Sequence, residues 1–176
     1  MIKVIDDFAP EWLHSRLLGE MANGLFPWYW PSGAYSDHPN VSAFGHELFH
    51  NQKGINGLQY APSLTFIFDN FFYNNKDWFT LIELERCRAN LYTPGQTVEE
   101  HIDTDRSDRY SLLYYVNDAD GGTTIDGQVV EHKQNRAVLF NSNLLHQAIK
   151  NTTPARISVN LILHAKVNED DQRKDN

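Results

Sequence analysis

The spacing of hydrophobic and polar positions changes along the chain and divides it into two parts. Over residues 10–23, apolar residues recur at the three- and four-residue spacing of an amphipathic helix, and Pro10 suits its first turn. Residues 62–75 show the same kind of pattern. Between them, residues 26–60 are rich in Pro, Gly, Ser, Asn and aromatic residues, which favour loops with short strands. The first part therefore predicts two helices joined by an irregular segment.

From about residue 83 onwards the pattern is typical of short β-strands separated by turns. The predicted strands are 84–92, 98–103, 110–117, 122–126, 128–132, 136–141, 144–150 and 155–164. The step from Asp126 to Gly127 between two of them indicates a tight hairpin. Two helices followed by eight short strands predict a mainly β (α+β) protein. We expect a curled pair of antiparallel sheets with the N-terminal helices packed on one outer face.

The last predicted strand alternates between polar and apolar residues. Arg156, Ser158 and Asn160 share one face, and the residues between them are aliphatic. The polar face can line a binding site, while the apolar face can pack under helices. This alternation is typical of a strand in a barrel that encloses a pocket.

The composition, with 41% hydrophobic and 22% charged residues among 176, is that of an ordinary globular protein. This length favours one domain over two. We predict a single domain over residues 1–167, made of a helical and loop support region (1–82) and a β core (83–167). Residues 168–176 form a polar tail that we expect to fray.

The formal charge of −8 disfavours nucleic acids and anionic membrane surfaces as partners. Cys87 is the only cysteine, so no intrachain disulfide can form, which agrees with a reducing compartment. The first seven residues do not resemble a signal peptide, and no segment approaches the roughly 20 apolar residues of a membrane span. We therefore expect a soluble, cytoplasmic protein.

Three residues form a candidate metal site. His101 and Asp103 are two positions apart, and on a strand their side chains would leave the same face. His146, at the start of another predicted strand, can supply a third ligand. Two imidazoles and one carboxylate leave coordination positions open, as in non-haem iron(II) oxygenases. Taken alone, the His-x-Asp pair is better explained by two solvated residues after a turn.

Arg156 and Ser158 follow His146 along the chain and extend this hypothesis. An iron oxygenase that uses 2-oxoglutarate needs a cation for the distal carboxylate of that molecule. Arginine offers a planar, permanently charged fork, and a hydroxyl on the same strand face adds a donor. An ordinary surface arginine is the alternative, but apolar residues at every other position of the strand argue against it.

As an ordered set, these motifs resemble a known family. Residues 88–103 contain a strand, a Tyr-x-x-Gly turn and His-x-Asp; residues 111–124 are similar to its "YLN…GGxT" segment; and residues 135–146 match the strand before the second histidine. The pair Arg156-x-Ser158 matches its co-substrate motif. The family is that of the prolyl 4-hydroxylase-like Fe(II)/2-oxoglutarate-dependent oxygenases, in a compact version found in bacteriophages and bacteria.

The resemblance, which covers about residues 84–164, implies a double-stranded β-helix (jelly-roll) core and a dioxygenase reaction. A C–H bond of a prolyl group, or of another amino-acid or protein side chain, would be hydroxylated with release of succinate and CO2. The implied cofactors are Fe(II), 2-oxoglutarate and O2, with ascorbate as an allowed reductant. The implied residues are His101, Asp103 and His146 for iron, and Arg156, Ser158, Tyr92 and Asn90 for 2-oxoglutarate.

Arg88, Asn90 and Tyr92 alternate on one face of their predicted strand and are expected to face the same cavity. Tyr92 is our choice for a hydrogen bond to the co-substrate. Arg88 and Asn90 can contact co-substrate or substrate, although structural polar pairing explains Asn90 equally well.

Three alternatives stay open. His46, Glu47 and His50 fit the H-E-x-x-H pattern of zinc hydrolases, but that motif needs a long helix and glycines bracket this segment, so we expect a strand or loop. The Asn-x-Tyr-x-x-Gly stretch that begins at Asn90 resembles AlkB-type nucleic-acid demethylases, which the negative charge disfavours. A binding module on the same fold is the non-enzymatic alternative.

The remaining aromatic and histidine residues receive structural interpretations. The segment 26–31, which contains Trp28 and Trp30, could form a substrate platform or lid, but packing in the core is the favoured interpretation. Four histidines are expected at the surface or in satisfied positions: His14, His38, His132 and His164.

Overall fold

The computed structural model describes residues 1–30 and 43–168. It contains two α-helices, α1 (Glu11–Ala22) and α2 (Ser63–Asn74), and a short 3-10 helix at Leu58–Tyr60. Its strands are β1 (Ile2–Ile5), β2 (Phe44–His50), β3 (Ile55–Asn56), β4 (Phe79–Tyr92), β5 (Arg109–Tyr115), β6 (Gly122–Ile125), β7 (Gln128–Glu131), β8 (Arg136–Asn141), β9 (His146–Ile149) and β10 (Arg156–Val167). Neither helix is long and apolar enough to cross a membrane.

Two antiparallel sheets make up the β core. The larger sheet has seven strands in the order β1-β8-β5-β10-β4-β2-β3, and the smaller has three in the order β7-β6-β9. The prediction of a mainly β protein with two helices is confirmed. β1 was not predicted, and it pairs with β8 at the edge of the larger sheet.

Both helices bury an apolar face of the kind that the sequence predicted. α1 buries Leu13, Leu17 and Met21, and α2 buries Leu64, Ile67, Phe68 and Phe71. These side chains belong to one apolar cluster with residues from three central strands of the large sheet, which include Cys87, Ala89, Leu112, Tyr114, Val159, Leu161 and Leu163. The burial of this apolar surface is the main stabilising contribution of the helices.

The opposite face of the same strands is polar and lines a cavity. In the register of β10 with β4, Arg156 pairs with Tyr92, and Asn160 pairs with Arg88. All four side chains line this cavity. The polar faces that the alternation of residues predicted for β10 and β4 therefore line one cavity.

The hairpin prediction at Asp126 and Gly127 is confirmed. These residues join β6 to β7, and their φ angles are 48° and 75°. Positive φ at both central positions is the requirement of a type I′ turn, whose twist matches that of the flanking strands.

The predicted strand 98–103 is wrong. This segment forms only an isolated bridge between His101 and His146. It follows the turn at Gly95, whose φ is 79°, and the Thr97 hydroxyl donates a hydrogen bond to the carbonyl of Ala148. Residues 98–103 therefore lie beside β9 through isolated hydrogen bonds and do not form a continuous β-ladder with it.

The aromatic segment packs in the core only in part. Phe26 is buried and Trp28 packs on the same apolar cluster, but Tyr29 and Trp30 are 55% and 57% exposed. Tyr29 forms a backbone bridge with Gly45 at the end of β2, and this places the segment at an edge. The core interpretation is thus wrong for Tyr29 and Trp30, and Pro31 lies outside the described residues.

The H-E-x-x-H segment is a strand, so the helical zinc motif is excluded. His46 pairs with Ala89, which faces the apolar cluster, whereas His50 pairs with Arg86, which lines the cavity. Directly paired residues share a face of the sheet, so the two imidazoles lie on opposite faces. A bulge between Glu47 and Phe49 accounts for this change of face.

Three of the four histidines that were expected at the surface or in satisfied positions lie among the described residues. His14 is buried and its Nδ1 lies 2.6 Å from the Tyr114 hydroxyl, while His164 lies at 3.3 Å from Asp108. His132 is buried and its Nε2 lies 2.8 Å from the carbonyl of Asn117. Each has a partner, as expected, although one ring nitrogen of His14 and one of His132 have no hydrogen-bond partner within residues 1–30 and 43–168. His38 lies outside the described residues, and so do residues 169–176 of the predicted tail.

Candidate metal and co-substrate site

His101, Asp103 and His146 come together at one end of the cavity. Each offers one ligand atom, and these atoms lie within 4.8 Å of one another. The backbone brings them together: His101 and His146 exchange N–H···O bonds of 3.0 and 2.9 Å, and the N–H of Asp103 donates to the carbonyl of Ser142. Among residues 1–30 and 43–168, no other group of three or more His, Cys, Asp and Glu side chains is suited to a metal ion.

Both imidazoles are oriented through the same ring atom. Nδ1 of His101 lies 2.8 Å from the carbonyl of Glu99, and Nδ1 of His146 lies 3.0 Å from the carbonyl of Leu144. Because a carbonyl only accepts, each Nδ1 carries the hydrogen and each Nε2 keeps a lone pair for a metal. Burial also lowers the pKa of His146, which favours the neutral form that metal binding needs.

Asp103 is surrounded by hydrogen-bond donors. Arg86 forms a 3.0 Å ion pair with Oδ1, the Ser111 hydroxyl donates to Oδ2 at 2.6 Å, and the Asn160 amide donates at 3.1 Å. Burial alone would raise the pKa of this carboxyl, but Arg86, His146 and these donors together hold it below its usual range. Asp103 is therefore a charged carboxylate held in one orientation.

Arg156 occupies the other end of the cavity. It is 1% exposed, its Nη1 donates to the carbonyl of Ile149 at 2.5 Å, and its Cζ lies 4.8 Å above the ring of Tyr92. Its Nε is buried without a hydrogen-bond partner among the described residues. Burial lowers the pKa of the Arg156 guanidinium from its usual value. Arginine side chains are nevertheless cations at neutral pH. A buried fork with an unused donor is suited to a carboxylate.

Position 121, beside Arg156, requires a glycine. Its φ is 85°, and a Cβ there would lie 3.0 Å from the carbonyl oxygen of Ile149 and 3.5 Å from Nη1 of Arg156. The paired glycines of the sequence motif therefore leave room for the loop that holds the guanidinium.

The structure adds residues that were not predicted as part of the site. Arg86 and Ser111 orient Asp103, and Asn160, expected on the polar face, does so too. At the Arg156 end, the buried Tyr115 hydroxyl donates to Thr123 at 2.9 Å. Arg86 could have been found from the sequence, because it continues the alternation that begins at Arg88.

The donor set fits Fe(II), since two imidazoles and one carboxylate on one side of an ion leave positions for further ligands. A β-sandwich with such a triad at one end of its cavity and a buried arginine at the other defines the class of Fe(II)- and 2-oxoglutarate-dependent oxygenases. Residues 87–164 match the family model of the 2OG-Fe(II) oxygenase superfamily. The protein is a 2-oxoglutarate-dependent dioxygenase, with Fe(II), 2-oxoglutarate and O2 as cofactors.

Solved structures share the fold at low sequence identity. A prolyl hydroxylase from Trichoplax adhaerens, in complex with a hypoxia inducible factor peptide fragment, matches with a TM-score of 0.67 and 17% identity over 93% of this chain and 83% of that one. A prolyl-4-hydroxylase from Pseudomonas putida matches with a TM-score of 0.62 and 18% identity over 93% and 92%. The viral collagen prolyl hydroxylase of Paramecium Bursaria Chlorella virus-1 matches with a TM-score of 0.59 and 16% identity over 94% of this chain and 96% of that one. The predicted jelly-roll fold is thereby confirmed.

A search of curated protein sequences gives no match to this chain.

Proposed function

We propose that His101, Asp103 and His146 bind Fe(II) and that Arg156 binds the distal carboxylate of 2-oxoglutarate. The observation that carries this proposal is the placement of the two groups at opposite ends of one cavity. Asn160, which contacts Asp103, lies four residues from Arg156 on β10. At a strand rise of about 3.3 Å per residue this is roughly 13 Å, which is room for one extended dicarboxylate between guanidinium and metal.

Tyr92 and Ser158 complete the proposed co-substrate site. Tyr92 supports the Arg156 guanidinium with its ring, and Ser158 is 2% exposed and lines the cavity between its two ends. Asn90 accepts a hydrogen bond of 3.1 Å from Nε of Arg88, so its first task is to orient that side chain. Contact between Asn90 and the co-substrate stays a proposal.

When bound, Fe(II), 2-oxoglutarate and O2 supply the oxidising chemistry, which converts a substrate C–H group to C–OH and yields succinate and CO2. The chain itself orients and encloses these groups. The donors around Asp103 keep its carboxylate charged, the carbonyl partners keep both imidazoles in the Nε2-binding tautomer, and buried Arg156 holds the co-substrate in one direction.

We propose a prolyl group or another amino-acid side chain of a peptide or protein as the substrate. The names of the structural neighbours support this class, because they include a prolyl hydroxylase in complex with a hypoxia inducible factor peptide fragment and a viral collagen prolyl hydroxylase. The exposed aromatic rings at the edge of the larger sheet also support this class of substrate. Trp30 contacts Phe44, and Ala43, the residue before Phe44, lines the cavity. The single-domain boundaries and the cytoplasmic location stay predictions.

The first test is spectroscopic. Apo-protein mixed anaerobically with Fe(II) and 2-oxoglutarate should show the weak visible charge-transfer band of the chelated keto acid. We expect His146→Ala to abolish the band and Arg156→Gln to require far more 2-oxoglutarate. Arg16→Gln is the matched control, because Arg16 lies on the exposed side of α1 and forms a surface ion pair with Glu20.

If the wild-type protein gives no band, the proposed function is wrong and the binding-module alternative becomes the leading one. If the band forms but survives in His146→Ala, the ligand assignment is wrong.

A further inference from the structure

The turn that follows β5 holds the backbone on both sides of Arg156. The Asn117 side-chain amide donates to the carbonyl of Ala155 at 2.9 Å, and its Oδ1 accepts from the N–H of Ile157 at 2.7 Å. Ala155 and Ile157 are the two chain neighbours of Arg156. One side chain thus bonds both of the peptide groups that meet at the Cα of Arg156.

These two bonds fix the direction in which the arginine side chain leaves the backbone. A peptide group is planar, so the orientations of two successive peptide planes define φ and ψ of the residue between them. The same planes therefore set the direction of the Cα–Cβ bond of Arg156. The guanidinium lies several bonds beyond Cβ, so a small rotation of either plane would displace it by a larger distance.

Asn117 acts at the point where the regular pairing of β10 with β5 ends. The last pair of that ladder is Ser158 with Tyr115, two residues along β10 from Arg156. On the other side of β10, Arg156 pairs in register with Tyr92 of β4. The Asn117 amide therefore continues, on the β5 side, the support that the ladder gives to the rest of β10.

Asn117 is itself held in place by a buried histidine. His132 is 7% exposed, and its Nε2 lies 2.8 Å from the backbone carbonyl of Asn117. Because a carbonyl only accepts, this nitrogen carries the hydrogen. The His132 ring also packs on the Tyr115 ring, with 4.3 Å between the centroids. The amide of Asn117 is thus presented from a fixed backbone, which a positioning contact needs.

We infer that Asn117 is the positioning residue for Arg156 and that it acts on co-substrate binding through that arginine. This inference rests on the proposed function, in which Arg156 binds the distal carboxylate of 2-oxoglutarate. In this role Asn117 sets the preference for a 2-oxo acid with a distal carboxylate over one without it. A merely structural role would instead weaken the binding of every 2-oxo acid alike.

The test compares two 2-oxo acids of equal chain length. 2-Oxovalerate ends in a methyl group where 2-oxoglutarate has its distal carboxylate, and both present the same keto acid group to the metal. Each acid would be titrated anaerobically into the protein with Fe(II), and the charge-transfer band would give its dissociation constant. The proteins are the wild type, Asn117→Ala, Arg156→Gln and the variant that carries both changes.

We expect Asn117→Ala to weaken the binding of 2-oxoglutarate by about tenfold and that of 2-oxovalerate by less than about twofold. In the Arg156→Gln background the same change should alter either affinity by less than about twofold, because the arginine that it positions is gone. Asn117→Ser is the second variant, in case alanine prevents folding. Its shorter side chain cannot hold both peptide groups, so it should change the preference in the same direction.

Asn135→Gly is the matched control for a loss of stability. The Asn135 side chain likewise bonds a backbone N–H and a backbone carbonyl, both of Ala9, but it does so on the helical side of the sheet. This variant should be less stable than the wild type and should keep the wild-type preference between the two acids.

The inference is overturned if Asn117→Ala and Asn117→Ser keep the wild-type affinity for 2-oxoglutarate, or if they weaken the binding of both acids equally. It is also overturned if Asn117→Ala has the same effect without Arg156 as with it, or if Asn135→Gly changes the preference as much. All these results are measured from a band that the wild-type protein shows. Failure of the proposed function is distinct, because the wild-type band itself is then missing.

Discussion

The ring centroids of His101 and His146 lie 4.4 Å apart, because the two residues form an isolated antiparallel bridge with two reciprocal hydrogen bonds. This bridge joins the loop after β4 to the first residue of β9. A shift of one residue in this pairing would turn one imidazole away from the other. The site therefore depends on a single point of long-range pairing, and four predictions follow from its surroundings and supports.

Ser111→Ala should weaken metal binding without unfolding the protein. The Ser111 hydroxyl donates to Oδ2 of Asp103 at 2.6 Å, and loss of such a supporting bond typically costs about 10- to 100-fold in metal affinity. Titration calorimetry with Co(II) as a stable substitute for Fe(II) would measure the loss. Ser107→Ala, on the exposed loop that precedes β5, is the control. Equal affinities of the two variants would remove Ser111 from the support of the metal ligand.

Gly121→Ala and Gly19→Ala should act in opposite directions. Gly121 has a φ of 85° and meets the Ile149 carbonyl oxygen at 3.0 Å, so alanine should cost about 1–3 kcal/mol of unfolding free energy and weaken 2-oxoglutarate binding through Arg156. Gly19 lies in α1 with open space around it, so alanine should add about 0.5–1 kcal/mol. Urea unfolding measures both changes. A stable Gly121→Ala protein with unchanged 2-oxoglutarate affinity would contradict the role given to this loop.

His132 should make the metal-free protein less stable as the pH falls. Burial, together with the nearby Arg156 cation, lowers its pKa from 6.5 to about 3. Between these two values the unfolded chain binds a proton that the folded chain does not, so stability is full above about pH 6.5 and decreases toward pH 3. The contribution of one such group is about 1.4 kcal/mol per pH unit.

Urea unfolding at pH 7, 6 and 5 would test this contribution. The His132→Gln variant should lose less stability between pH 6 and pH 5 than the wild-type protein does, even if it is less stable at pH 7. Parallel pH profiles of the two proteins would show that His132 is protonated with similar ease in the folded and unfolded states.

Asn135 should be a major support of the helical side of the protein. Its side chain is buried, accepts hydrogen bonds from the Tyr114 hydroxyl and the Ala9 N–H, and donates to the Ala9 carbonyl. Its φ is also positive, at 58°. Asn135→Ala removes these hydrogen bonds and adds backbone strain, so we expect the free energy of unfolding to fall by about 2–4 kcal/mol.

Asn135→Gly separates the two effects, because glycine accepts the positive φ but makes no side-chain bonds. It should be more stable than Asn135→Ala by about 1 kcal/mol. Thermal or urea unfolding of the pair measures the difference, and equal stabilities would show that the backbone conformation at this position is not strained for alanine.

Local patterns in the sequence determined much of this protein. The alternation at Arg156, Ser158 and Asn160 predicted the cavity face of β10, the Asp126-Gly127 step predicted a tight hairpin, and helical spacing predicted α1 and α2. These features depend on neighbours a few residues apart, so periodicity and turn chemistry are enough to reveal them.

Only the tertiary structure decided how distant segments meet. The sequence placed His101 and Asp103 on a strand, but an isolated bridge between His101 and His146 and a backbone hydrogen bond from Asp103 to Ser142 bring the ligands together. It could not show that a bulge turns His50 away from His46, or that Tyr29 lies exposed at a sheet edge. These outcomes depend on register and bulges between strands far apart in the chain, which no local periodicity encodes.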